Sequence, residues 1–75
     1  MLKTEAITIA EQAGAGYLAH IITCDHRHSA RKLIGLANLI NAGHTVNLIP
    51  FSLDQIQIDG INASWTVLEE WTNRS

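Results

Sequence analysis

SARKLIGLANLINAG, residues 29 to 43, is the stretch whose reading sets the fold. Ser29 offers a side-chain oxygen to one of the free N–H groups at a helix start, and Gly43 stands where a left-handed residue commonly ends one. Between them Ala30, Leu33, Ala37 and Ile40 recur at helical spacing, with Ile34 and Leu36 flanking the stripe. At about 100° per residue, the apolar arc from Leu39 round to Ile34 spans roughly 220°, wider than one face of a sheet covers. The spacing therefore predicts one central helix that touches two things.

Working outward toward the N-terminus, TEAITIAEQ (residues 4–12) sets Ile7 and Ile9 on one side of Thr8, the alternation of a half-buried strand. Gly14 and Gly16 suggest a turn, and Tyr17 to Thr23 is rich in strand formers but apolar on both faces. The rival reading of residues 8–22 is a helix-turn-helix. Against it, each glycine would cost about 1 kcal/mol inside a helix.

Toward the C-terminus, Val46 and Leu48 alternate with Thr45 and Asn47, so a strand is expected over HTVNLIPF, with Pro50 at its end. Ser52, Leu53 and Asp54 read as a connection. Gln55 to Val67 carries the clearest signal. Asp59-Gly60 lies between alternating segments, and both residues tolerate positive φ, which predicts a two-residue hairpin turn. In that register Ile58 opposes Ile61, Ile56 opposes Ala63, Gln57 opposes Asn62 and Gln55 opposes Ser64. Ile56, Ile58, Ile61, Ala63, Trp65 and Val67 should then face the core. Thr66 and Glu69 have capping-box spacing for one last helical turn. The expected fold is α+β: one two-layer domain over residues 1–75, in the order β-β-α-β-β-β, with an antiparallel sheet and one helix across a face.

Composition narrows the function classes. The chain is 47% hydrophobic and 16% charged, where an average globular chain has about 25% charged residues. A chain of this length buries only about 60% of its unfolded surface. The apolar surplus, with Leu39 at one limit of the helical arc, predicts a protein partner or a homodimer. Net charge −2 argues against a whole-protein footprint for nucleic acid. Cys24 is the single cysteine, and no leader or membrane span is read, so a reducing cytoplasm is expected.

Three groups of residues could carry chemistry. His20, Cys24, His26 and His28 would share a face if the strand ran that far, and with His44 they would suit zinc. Their spacing matches no usual zinc pattern, so neither a metal nor another cofactor is expected. Cys24 beside a histidine could also be a nucleophile, but the chain leaves little room for a cleft, and no enzyme is expected. Arg27, Arg31 and Lys32 gather at the helix start, where backbone N–H groups favour anions. They are the candidate nucleic-acid contacts. Glu69, Glu70 and Trp71, an aromatic rimmed by acids, are the candidate protein-binding residues.

The leading expectation is a non-enzymatic module that occupies a partner protein's surface. The alternative is a small nucleic-acid-binding regulator using the helix start or residues 8–22. In size and in its expected strand order the chain resembles the small phage-encoded inhibitors of bacterial defence systems, anti-CRISPR proteins among them. That resemblance implies a viral inhibitor that blocks a host protein.

Overall fold

A computed structural model describes residues 1–52 and 54–74; Leu53, expected in a connection, lies outside the described residues. Helices α1 (Lys3–Gln12), α2 (Gly16–Asp25) and α3 (Ser29–Asn41) come first. Strands β1 (Val46–Leu48), β2 (Gln55–Ile58) and β3 (Ile61–Ser64) follow, then a short helix α4 (Val67–Glu70). The class is α+β with an antiparallel sheet, as expected, but the sheet has three strands where five were read. The expected order is corrected: three helices precede the strands, and α3 is not alone.

The two segments taken for strands are helices, and on the first of them the buried stripe is made of small residues. Ala6 and Ala10 on α1 are fully buried, one turn apart, while Ile7 and Ile9 are only partly so. On α2, Leu18, Ala19 and Ile22 fill the core. Neither glycine imposes the cost expected of it. Gly14, at φ +77°, is the left-handed residue that ends α1. The Ala15 N–H bonds the Ala10 carbonyl at 2.8 Å and the Gly14 N–H bonds that of Glu11 at 3.1 Å, a Schellman motif. Gly16 is the first residue of α2, not an interior one. Gly43 repeats the device after α3, with the His44 N–H on the Leu39 carbonyl and the Gly43 N–H on that of Ile40, both 3.0 Å. At the other end of α3 the cap is one residue earlier than expected: His28, left-handed at φ 55°, precedes Ser29, which is the first helical residue.

The wide apolar arc of α3 is covered by the chain itself. It packs against α1, α2, α4 and β1. Leu33, Leu36 and Ala37 are fully buried, and Leu39 is 1% exposed. The C-terminal segment folds back over α3, so no second subunit is required there. Gly35 makes that approach possible: a Cβ at this position would stand 1.7 Å from the Leu68 carbonyl oxygen. Buried Asn38 donates to the Trp71 carbonyl at 2.7 Å and to that of Thr72 at 3.3 Å, and the Thr72 hydroxyl donates to the Arg31 carbonyl at 3.0 Å. The expected last turn is present as α4, but Thr66 makes no side-chain cap to it. The accessible surface, 4590 Å², is close to the roughly 4,500 Å² expected of a monomer of this mass. In area, the chain hides what a monomer normally hides.

The hairpin has the expected register in all four pairs, and β1 extends it by pairing Val46 with Ile58 and Leu48 with Ile56. Asp59 at φ 53° and Gly60 at φ +82° form the turn. Its apolar face is buried at the centre of the sheet and open at the tip. Ile56 is 0% exposed at the centre, whereas Ile61 at the hairpin tip is 71% exposed, which corrects its expected place in the core. The turn is tied to the end of α3 by Asp59. Its N–H bonds the Thr45 carbonyl at 2.8 Å, its Oδ1 accepts the Thr45 N–H at 2.9 Å, and its Oδ2 lies 2.5 Å from His44 Nδ1.

Candidate functional site: an apolar cleft at the end of helix α2

The connection leaving β1, Ile49-Pro50-Phe51-Ser52, contains no charged residue. It passes the last turn of α2, where Ile21, Asp25 and His26 lie, and leaves a cleft of about 750 Å³ between them. Leu48, Ile49, Pro50 and Trp65 complete the walls. Phe51 on its rim is fully exposed, at 108% of its reference surface. Its backbone is left-handed at φ 65°, a conformation uncommon for any residue but glycine and a strained one for an aromatic. Strain of that kind tends to gather at binding sites.

Trp65 is 5% exposed, and its buried indole N–H has no hydrogen-bond partner among the described residues. The His26 ring tilts over it with centroids 4.4 Å apart. Burial lowers the His26 pKa below its ordinary value, the Lys32 ammonium adds to that, and Asp25 opposes it. The imidazole is therefore held toward its neutral form, which suits an apolar wall. Asp25, His26 and Ser52 all line the cleft, but among the described residues no hydrogen bond joins any two of them.

The expected contact residues are distributed differently from the way they were grouped. Leu39 is core, so it cannot form a surface contact. Glu70 is exposed, while Glu69 is 24% exposed and pairs with Arg31 across 3.5 Å. Trp71 is half-buried. His44 meets its ring edge-on at 5.2 Å, and the Arg74 guanidinium lies 4.8 Å over it. Of the three cations, Lys32 is buried at 6% exposure and donates to the Arg27 carbonyl at 2.8 Å, so it braces the α2–α3 connection. Arg31 faces Glu69, which leaves Arg27 exposed and outside any described ion pair.

The helix pair at residues 8–22 does exist, but exposed α2 carries no lysine or arginine, and α3 is enclosed by its neighbours. The histidine–cysteine cluster is also separated. His26 lies on Trp65, His28 precedes α3, and only His20 and Cys24 stay together. Among the described residues no group of three or more His, Cys, Asp or Glu is placed to hold a metal ion. No described helix is long and apolar enough to cross a membrane.

Sequence reasoning missed the cleft. Its signal was the LIPF run, three large apolar residues and a proline with no charge to keep them in water. No protein-family model matches the chain, and neither a curated protein nor a solved structure is found to match it.

Proposed function

We propose that this chain is a non-enzymatic protein-binding module that acts by occupying a partner protein's surface, with the cleft beside Phe51 as its contact. The observation that carries the reading is Phe51: a fully exposed aromatic, in a strained backbone conformation, on the rim of an apolar cleft. Aromatic anchors beside desolvatable pockets dominate the energetics of protein interfaces. The narrower reading, a phage inhibitor of a host defence protein, rested on length and on an expected strand order that is not the one found. Length alone now supports it.

The test is a paired capture. Wild-type protein and Phe51→Asp are immobilised side by side, and retained proteins from a bacterial lysate are compared by mass spectrometry. A partner held by the wild type and lost by the variant, with both folded by circular dichroism, is the expected result. Equal retention of every protein by the two would refute the cleft as the contact.

The second reading, a nucleic-acid-binding regulator, draws on the observed helix pair α1–α2. It is the weaker one, because the phosphate contacts it needs are reduced from Arg27, Arg31 and Lys32 to Arg27 alone. Fluorescence anisotropy with a labelled duplex at low salt tests it directly. Micromolar affinity that weakens steeply with salt would favour it.

A further inference from the structure

The cleft beside Phe51 has one formal charge among its lining residues, the carboxylate of Asp25. His26 beside it is held toward its neutral form by burial, and the other walls are apolar apart from the Ser52 hydroxyl. Asp25 is exposed and is the last residue of α2. The free carbonyls of a helix's final turn already make that end negative, so a cation is favoured there and a carboxylate is not. Among the described residues no cation of the chain supplies the match. Lys32 is buried with its ammonium on the Arg27 carbonyl, Arg31 pairs with Glu69, and no lysine or arginine lines the cleft. On the other side of the cleft, the chain from Thr45 to Ser52 carries no charged residue, and the first one after it is acidic, Asp54.

We infer that the partner segment this cleft takes is an apolar one flanked by lysine or arginine, its apolar side chain seated on the walls and its cation at Asp25. The inference rests on the reading of the cleft as a protein contact and adds the chemistry of what enters it. Sites that bury an apolar group and orient it with a few polar ones usually measure roughly 300–1,000 Å³, and this cleft, at about 750 Å³, lies inside that range. The walls supply area and accept any large apolar side chain. Asp25 supplies the selection, because charge complementarity at a rim favours one sign of partner and turns away the other. A basic segment would find the carboxylate and the negative end of α2 together. An acidic segment would be repelled by both.

Three short, capped peptides test this, each with a leucine–phenylalanine–leucine core, flanked by lysines, by glutamates or by serines. They are titrated to millimolar concentration at low salt into isotope-labelled protein, and the amide signals of Ile21, Asp25, Phe51 and Ser52 and the Trp65 indole signal are followed by NMR. The lysine-flanked peptide should shift these signals and bind about five- to tenfold more tightly than the glutamate-flanked one, with the serine-flanked peptide between them. The gap should narrow as salt is raised. Asp25→Asn should bring the lysine-flanked peptide to the level of the serine-flanked one. Glu11→Gln removes the same charge from outside the cleft and should leave the order intact, which separates a contact at Asp25 from attraction to net charge. Equal binding of all three peptides would overturn the selection by Asp25 while leaving the cleft a protein contact. Binding order unchanged by Asp25→Asn would do the same. If no peptide shifts the cleft signals, the inference fails, and a partner captured by the wild type and lost by Phe51→Asp would still carry the protein-binding reading.

Discussion

Where the C-terminal segment lies on α3, backbone meets backbone. Where the β1–β2 connection passes the end of α2, a cleft stays open. The first region has a glycine at the crossing, a fully buried leucine opposite it, and a buried amide that satisfies two carbonyls beyond α4. The second has a strained aromatic outside, a tryptophan whose N–H has no partner among the described residues, and a histidine held toward neutrality. Both regions are rich in apolar side chains, so hydrophobicity does not distinguish them. Polar satisfaction and closeness of approach do. A region closed for stability leaves little exposed apolar surface, and the contact proposed for a partner leaves some.

The largest effect should come from Gly35→Val. A Cβ there meets the Leu68 backbone oxygen, and no side-chain rotation can relieve that. A loss of more than about 3 kcal/mol, or no folded protein, is expected in urea titration. Leu68→Ala keeps that backbone approach but empties a fully buried side-chain site, and should cost about 2–5 kcal/mol. A wild-type midpoint for Gly35→Val would mean that the seam is not closed as described. Next comes Asn38→Ala, which leaves the Trp71 and Thr72 carbonyls without their donor. A cost of about 1–3 kcal/mol is expected, with faster proteolysis confined to the C-terminal segment. Uniform proteolysis along the chain would show that Asn38 acts elsewhere.

Gly60→Val lies outside both regions and calibrates them. It forces a β-branched residue to positive φ and should cost about 1–3 kcal/mol without opening either one.

The first pH dependence comes from the open region. The folded pKa of His26 is depressed, so the unfolded chain binds its proton more readily. Its contribution to stability is present above the ordinary value of 6.5 and is lost as pH falls through the folded value. Melting temperature should therefore drop on acidification from neutral pH, and His26→Gln should flatten that part of the profile. Asp59 acts at lower pH. The Thr45 N–H, and after it His44, depresses its pKa, so that contribution persists until the pH falls below the usual carboxylate range. The smallest effect belongs to Phe51→Ser. Fully exposed, it should change stability by no more than about 0.5 kcal/mol. A large loss on that substitution would place Phe51 inside the fold and remove the contrast between the two regions.

The chain's own signals reached some elements and not others. The hairpin register was legible because Asp59-Gly60 states its backbone conformation locally and both strands agree on which side is apolar. The length of α3 was legible from its stripe and from Gly43. The cleft was not, because Phe51 and Ile61 look no different in sequence from Ile56. What separates them is tertiary packing: Ile56 joins the core cluster, and Phe51 and Ile61 stand outside it. Leu39 was misplaced for the converse reason: the width of its arc was read correctly, but which part of the chain would cover it was not.

By itself, the sequence determined the places where the backbone must turn. Gly14, Gly43 and Asp59-Gly60 take conformations open to few other residues, and that restriction is local. Only the tertiary structure decided what lies before the first of these turns. The alternation of Ile7 and Ile9 is a real period of two, and Ala6 with Ala10 is a real period of one helical turn. An alanine gains little from burial alone, so nothing local ranks the second pattern above the first. It prevails because a second helix approaches closely enough to use its small size, and that approach depends on residues far along the chain.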